Sequence, residues 1–334
     1  MPPLLQIDHL SVRFDTDDGV VAAVDDVSLM LDRGDLLGVV GESGCGKSAT
    51  AMAVPRLLPM PPARLTPASS VRFDGRELTT LPSAALRTLR GARIGVVFQD
   101  PMTALSPLWR VGDQIAEALR LHRRLTRAGA RRLAAEWLGR VGIADPASCA
   151  RCYPHELSGG MQQRVMIAIA LCHDPDLLIA DEPTTALDVT TQAQILDLMQ
   201  ALCRRATALL LITHDMGVVW RLCTRVAVMY AGEIVEEAPA EAFFARPLHP
   251  YAAALLAAVP SAATRGKPLY TIPGQVPSAL AWPAGCRFAA RCSRARPDCR
   301  ARHPALAAPP GMPGRLVRCP HAVADASGTA EEVA

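Results

Sequence analysis

Leu36-Leu37-Gly38-Val39-Val40-Gly41-Glu42-Ser43-Gly44-Cys45-Gly46-Lys47-Ser48 is the stretch that decides the fold of this chain. Its first five residues form a continuous apolar run suited to a strand buried on both faces, and a glycine-rich turn leads from it into the helix-compatible Ser48 to Leu58. Residues 41–48 match GxxxxGK[ST] in the strand-then-helix context that the motif demands. Glycines let backbone N–H groups turn toward phosphates, and the helix N-terminus adds partial positive charge. Lys47 is placed to reach β and γ phosphates and the Ser48 hydroxyl to ligate Mg²⁺. Gly41, Glu42, Ser43, Gly44, Cys45, Gly46, Lys47, Ser48 and the following Ala49 are therefore candidate nucleotide contacts. Composition sharpens the reading. Only two lysines, Lys47 and Lys267, stand beside 33 arginines, so a lysine kept at 47 marks a site that needs a compact ammonium.

Outward from this loop the chain alternates strand and helix. Leu4 to Phe14 and Val24 to Leu31 alternate apolar and polar residues around the turn-like Thr16-Asp17-Asp18-Gly19, which suggests an antiparallel edge. Ile94 to Phe98, Leu177 to Ala180, Leu209 to Thr213 and Val226 to Met229 read as buried strands. Val111 to Leu171 turns helical, as do Thr191 to Arg204 and Met216 to Leu222. The expected class is α/β, with a mainly parallel sheet, an antiparallel β edge and a helical insertion. Leu177-Leu178-Ile179-Ala180-Asp181-Glu182 ends in two carboxylates at the sheet edge where ligands bind in open α/β folds. Asp181 is the expected Mg²⁺ partner, and Glu182 the general base for an attacking water.

Leu157-Ser158-Gly159-Gly160-Met161-Gln162-Gln163-Arg164 opens a helix, with Ser158 placed to cap it and Gly159 and Gly160 exposing N–H groups. It resembles the signature of the ABC ATPase family, with Met161 where Gln is commoner. The resemblance covers about residues 4 to 260 on five ordered motifs. It implies that Ser158, Gly159, Gly160 and Gln163 serve the ATP bound to an opposite subunit. It likewise implies that Gln99 senses Mg²⁺ and the γ-phosphate, that Ala186-Leu187-Asp188 crosses a dimer interface, that His214 orients Glu182, and that Phe14 stacks on adenine. The implied assembly is a head-to-tail dimer with two ATP molecules between each phosphate loop and the partner's signature.

Gln99-Asp100-Pro101-Met102-Thr103-Ala104-Leu105-Ser106-Pro107-Leu108, then Val111-Gly112-Asp113-Gln114-Ile115, resembles the segment after the glutamine loop in oligopeptide and dipeptide import ATPases. Pro247-Leu248-His249-Pro250-Tyr251 is similar to that subfamily's domain end. Importers of nickel or glutathione share both features. The resemblance implies an ATP hydrolase that powers solute uptake across a bacterial inner membrane, peripheral on its cytoplasmic face. Its implied partners are a second ATPase subunit, a paralogue rather than a copy, two permease subunits and an extracytoplasmic solute-binding protein. A soluble ABC ATPase in translation or DNA repair is the rival class, though such proteins carry two cassettes or a long coiled-coil insertion.

Four cysteines fall late, as Cys286-x5-Cys292-x6-Cys299-x19-Cys319. Four thiolates in a core-poor segment suit an iron–sulfur cluster or Zn²⁺, or remain thiols or disulfides. Resemblance to the subfamily's C-terminal extension favours [4Fe-4S]; His303 and His321 are spare ligand candidates that read more simply as ordinary loop histidines. The expected division is a cassette at 1–259, with its helical subdomain at about 105–172, the extension at 260–322 and a disordered tail at 323–334. Near-balanced charge, 35 basic against 32 acidic side chains, gives no reason to expect nucleic acid as a partner. The N-terminal stretch acquires acidic residues where a signal peptide would need a continuous apolar core, and no apolar run is long enough to span a bilayer.

Overall fold

The structure, a computed structural model, describes residues 2–185, 187–202, 206–260 and 270–322. Ala186, Cys203, Lys267 and the expected tail at 323–334 lie outside them. The chain divides into two compact units. One comprises residues 1–4, 31–35 and 80–212, the other residues 5–30, 36–79 and 213–334.

In the second unit, Leu5–Thr16 and Gly19–Leu31 form the expected antiparallel edge, and Ala63–Leu65 and Ser70–Phe73 each pair antiparallel with Leu5–Thr16. Leu5 and Ile7 are buried, then Leu10 and Val12, so the buried parity switches within one strand. His9 causes the switch: its φ of 51° puts one residue in the left-handed region and re-aims the side chains after it. The same unit holds Leu36–Val40, parallel to Arg225–Tyr230, which is antiparallel to Glu233–Pro239. Leu316–Val317, from the cysteine-bearing extension, adds at the edge of that last strand.

The extension docks mainly through buried arginines. Arg287, Arg291, Arg315 and Arg318 are 5%, 9%, 7% and 7% exposed, whereas its apolar contribution is confined to a few residues such as Phe288 and Val317. Arg315 meets the fully buried Glu236, which also accepts the Leu248 and His249 N–H groups. Burying a charge this deeply is stable only with such complete pairing.

In the first unit, Ile94–Val97, Leu177–Asp181 and the strand at Ala208 are parallel neighbours, and every residue of Leu177–Asp181 is buried. The all-apolar runs follow from that two-sided burial. The expected helical insertion is present as Val111–His122, Arg127–Arg140, Pro146–Cys149 and Gly159–Leu171. Among the described residues no helix is long and apolar enough to cross a membrane.

Candidate functional site

In the second unit, the loop 41–48 joins Leu36–Val40 to the helix Lys47–Ala53. Gly46 sits at φ +104°, and a Cβ there would stand 2.3 Å from the Ala23 carbonyl oxygen, so a side chain is excluded on both counts. Lys47 is 5% exposed, and its Nζ donates to the Gly41 and Glu42 carbonyls at 2.7 and 2.9 Å, which closes the loop on itself. Ser43, Gly44 and Ser48 are exposed, and Ala49 is half-buried. Burial raises the pKa of the Cys45 thiol, which keeps it neutral and makes it a packing group. Phe14 is half-buried on Leu5–Thr16, opposite Ala63. His214 is exposed, just before the helix Met216–Leu222 that Asp215 caps.

In the first unit, Asp181 is buried at the end of its strand. Glu182 follows at φ +44°, a conformation that a non-glycine residue adopts only under constraint, and its N–H is held by the Ile212 carbonyl at 2.8 Å. Its carboxylate accepts from Gln99 Nε2 at 3.3 Å and from Thr185 Oγ1 at 2.9 Å. The structure thus brings Gln99 and Glu182 together. Thr185 escaped the sequence reading, although a hydroxyl three residues after a carboxylate is a recurrent local partner.

Ser158 and Gly159 are exposed, and Ser158 Oγ accepts from Met161 N–H as the cap of Gly159–Leu171. Gln163, expected against nucleotide, is instead 2% exposed and gives its amide to the Pro183 carbonyl at 2.5 Å. It braces the loop that carries Glu182. Asp188 is exposed and accepts from Thr191 N–H and Oγ1; those bonds hold its carboxyl below the usual range.

In the extension, Cys286, Cys299 and Cys319 line one cavity of about 540 Å³, walled by Pro304, Val317 and neighbouring small residues. No disulfide joins the four cysteines. Burial first, then the neighbouring Glu233, Cys319 and Cys299, push the Cys286 thiol up to about 11. Cys292 is half-buried and is not among the residues lining that cavity. Donor atoms of Asp298, Cys299 and His321 lie within 4.8 Å of one another, with His321 Nε2 2.8 Å from Asp298. His303 faces Glu233 at 2.8 Å.

Residues 24–185 match the family model described as ABC transporter, and residues 235–299 that described as oligopeptide/dipeptide transporter, C-terminal region. A probable peptide ABC transporter ATP-binding protein of Sinorhizobium fredii is 50% identical over 95% of this chain and 94% of its own. The oligopeptide transport ATP-binding protein OppD of Salmonella typhimurium is 48% identical over 95% and 93%. The ATP-binding cassette MJ0796, solved as a dimer in a post-hydrolysis state bound to ADP and Pi, superposes with a TM-score of 0.64. That match is 27% identical and covers 71% of this chain and 98% of the cassette. This chain belongs to the ABC transporter ATP-binding family, in the branch that carries the oligopeptide/dipeptide transporter C-terminal region.

Proposed function

We propose that this chain is one of two ATPase subunits that power uptake of peptides across the bacterial inner membrane, docked on the cytoplasmic face of two permease subunits fed by a solute-binding protein. Residues 1–259 form the cassette in this reading and 260–322 its extension. The observation that carries the hydrolytic part is Glu182, pinned at an unusual backbone angle with its carboxylate in reach of Gln99. In this reading loop N–H groups and Lys47 would hold the phosphates, Ser48 and Asp181 would hold a Mg²⁺ that neutralises phosphoryl charge, Glu182 would take the proton of the attacking water, and His214 would steady the γ-phosphate. The catalysis is positioning and charge stabilisation, since phosphoryl transfer needs little covalent help. Names of the relatives support peptides as the cargo.

What supports a thiolate-bound group is that three of the four cysteines line one cavity and no disulfide joins them. A [4Fe-4S] cluster on Cys286, Cys292, Cys299 and Cys319 is the form we favour, and when bound it would crosslink a segment with little apolar core.

Anaerobic affinity purification of the tagged chain from native membranes tests both readings. Recovery of two permeases and a second ATPase, with about four Fe and matching sulfide per chain, is expected. Ribosomal or DNA-repair proteins without permeases would overturn the transport role, and zinc in place of iron would overturn the cluster. Uptake of labelled peptides against nickel and glutathione in reconstituted vesicles separates the cargo classes.

A further inference from the structure

Glu42 is the only acidic residue of the loop 41–48, and a carboxylate beside a polyphosphate site opposes binding of its ligand. A residue far along the chain answers it. Arg291 of the extension donates Nη1 to Glu42 Oε2 at 2.7 Å and Nη2 to Glu42 Oε1 at 2.9 Å, a paired fork that lysine could not reproduce. The remaining donors are also engaged. Nε donates to the Pro273 carbonyl at 2.9 Å, Nη2 to the Ile272 carbonyl at 3.4 Å, and Nη1 to Tyr230 Oη at 3.4 Å. With its side chain 5% exposed, Arg291 cannot swing out to other partners at little cost.

Glu42 is held at two further points. Its N–H donates to Tyr251 Oη at 2.9 Å, and its carbonyl accepts from Lys47 Nζ at 2.9 Å. Tyr230 and Tyr251 pack with ring centroids 4.5 Å apart, and Phe288 lies 5.3 Å from each, so the extension also forms part of the aromatic floor behind the loop. Arg315, by contrast, meets Glu236, the Ala242 carbonyl and the Arg246 carbonyl, none of which is in the loop.

We propose that Arg291 is a positioning residue for ATP: it cancels the charge of Glu42 and fixes that carboxylate away from the phosphates, so the loop presents a net positive field to the nucleotide. This rests on the reading of residues 41–48 as the nucleotide loop. The extension is then a working part of the ATP site through one guanidinium.

The test uses the full chain in the assembled transporter, with ATP affinity, KM, kcat and melting temperature measured together. Arg291→Ala leaves the Glu42 charge uncancelled, so KM and the ATP dissociation constant rise about tenfold while kcat changes by less than about threefold. Adding Glu42→Gln to Arg291→Ala removes that charge and returns affinity to within about threefold of the parent, which a purely structural role does not foresee. If Arg291→Ala does not accumulate, Arg291→Met, which keeps the stem, carries the same comparison. Arg315→Ala lowers the melting temperature and leaves KM unchanged. An unchanged KM in Arg291→Ala, no recovery in the double variant, or an equal KM rise in Arg315→Ala would each overturn the proposal. Lys47→Ala reports separately on the loop: if it binds ATP as the parent does, the loop reading fails, whatever Arg291 does.

Discussion

At Glu182 the backbone adopts a left-handed angle, with its N–H tied to Ile212 and its carboxylate to Gln99 and Thr185. A side chain held under such constraint is committed to one direction, which a base needs in order to meet a water in line with the bond that breaks. Glu182→Gln keeps shape and hydrogen bonding and removes only basicity. ATP binding should stay within about threefold while turnover falls about 10²- to 10⁴-fold, read by phosphate release and equilibrium nucleotide binding. Retained turnover would remove Glu182 from the role of base. Legibility differs from residue to residue on physical grounds. Lys47 is visible in the sequence because lysine is almost absent elsewhere, and Glu182 because it ends an apolar strand. Arg291 is invisible: it is one arginine among 33, and only the fold carries residue 291 to residue 42. Gln163 reads as a site residue from its neighbours, but the helix turns its side chain inward to Pro183.

Elements long enough to repeat their pattern were readable, and short ones were not. Met216–Leu222 appears with the expected limits, whereas Ala63–Leu65, Ser70–Phe73 and Arg76–Glu77 offer too few residues for an alternation to register. The helix after the phosphate loop ends at Ala53, short of the expected Leu58, because Pro55 has no N–H to extend the ladder and Arg56 turns to φ +52°. The helix Pro250–Ala257 shows what docking of the extension does to an element's chemistry. His249 caps it by accepting from Tyr251 N–H, and it is 1% exposed, near Phe288. Burial first, then the charge of Arg318, lower its pKa from 6.5 to about 3. Between those values the unfolded chain takes up a proton that the folded chain refuses, so stability falls as pH drops through this window. The slope reaches about 1.4 kcal/mol per pH unit. His249→Asn, which keeps a capping acceptor, should flatten that slope in denaturant titrations between about pH 7 and about pH 5. Equal slopes for parent and variant would mean that His249 is solvated and the extension does not seal it.

Ser158 and Gly159 are exposed at the start of Gly159–Leu171, whose other residues are largely buried, so the signature is presented outward from a rigid helix. The Ser158 hydroxyl accepts one long bond, 3.4 Å from Met161 N, and its proton and second lone pair are available to a further partner. The first N–H groups of a helix have no partner within it, and beside such a hydroxyl they suit the phosphates of a nucleotide held by another subunit. The MJ0796 cassette, which covers 71% of this chain, was solved as a dimer with ADP and Pi. In a head-to-tail pair each subunit finishes the other's site, so ATP should drive assembly and hydrolysis should undo it. A Glu182→Gln chain mixed with the second ATPase subunit of the proposed transporter is therefore expected to sediment as a dimer when MgATP is added and to separate without it. Ser158→Arg places bulk and an ill-fitting charge at that junction. It should abolish the ATP-driven dimer and cut turnover by at least about 100-fold, while the single subunit still binds ATP within about threefold of the parent. A Ser158→Arg chain that dimerises and turns over normally would sink the sandwich and force both halves of the site into one subunit. Loss of ATP binding by the lone variant would instead place Ser158 in the nucleotide site of its own chain.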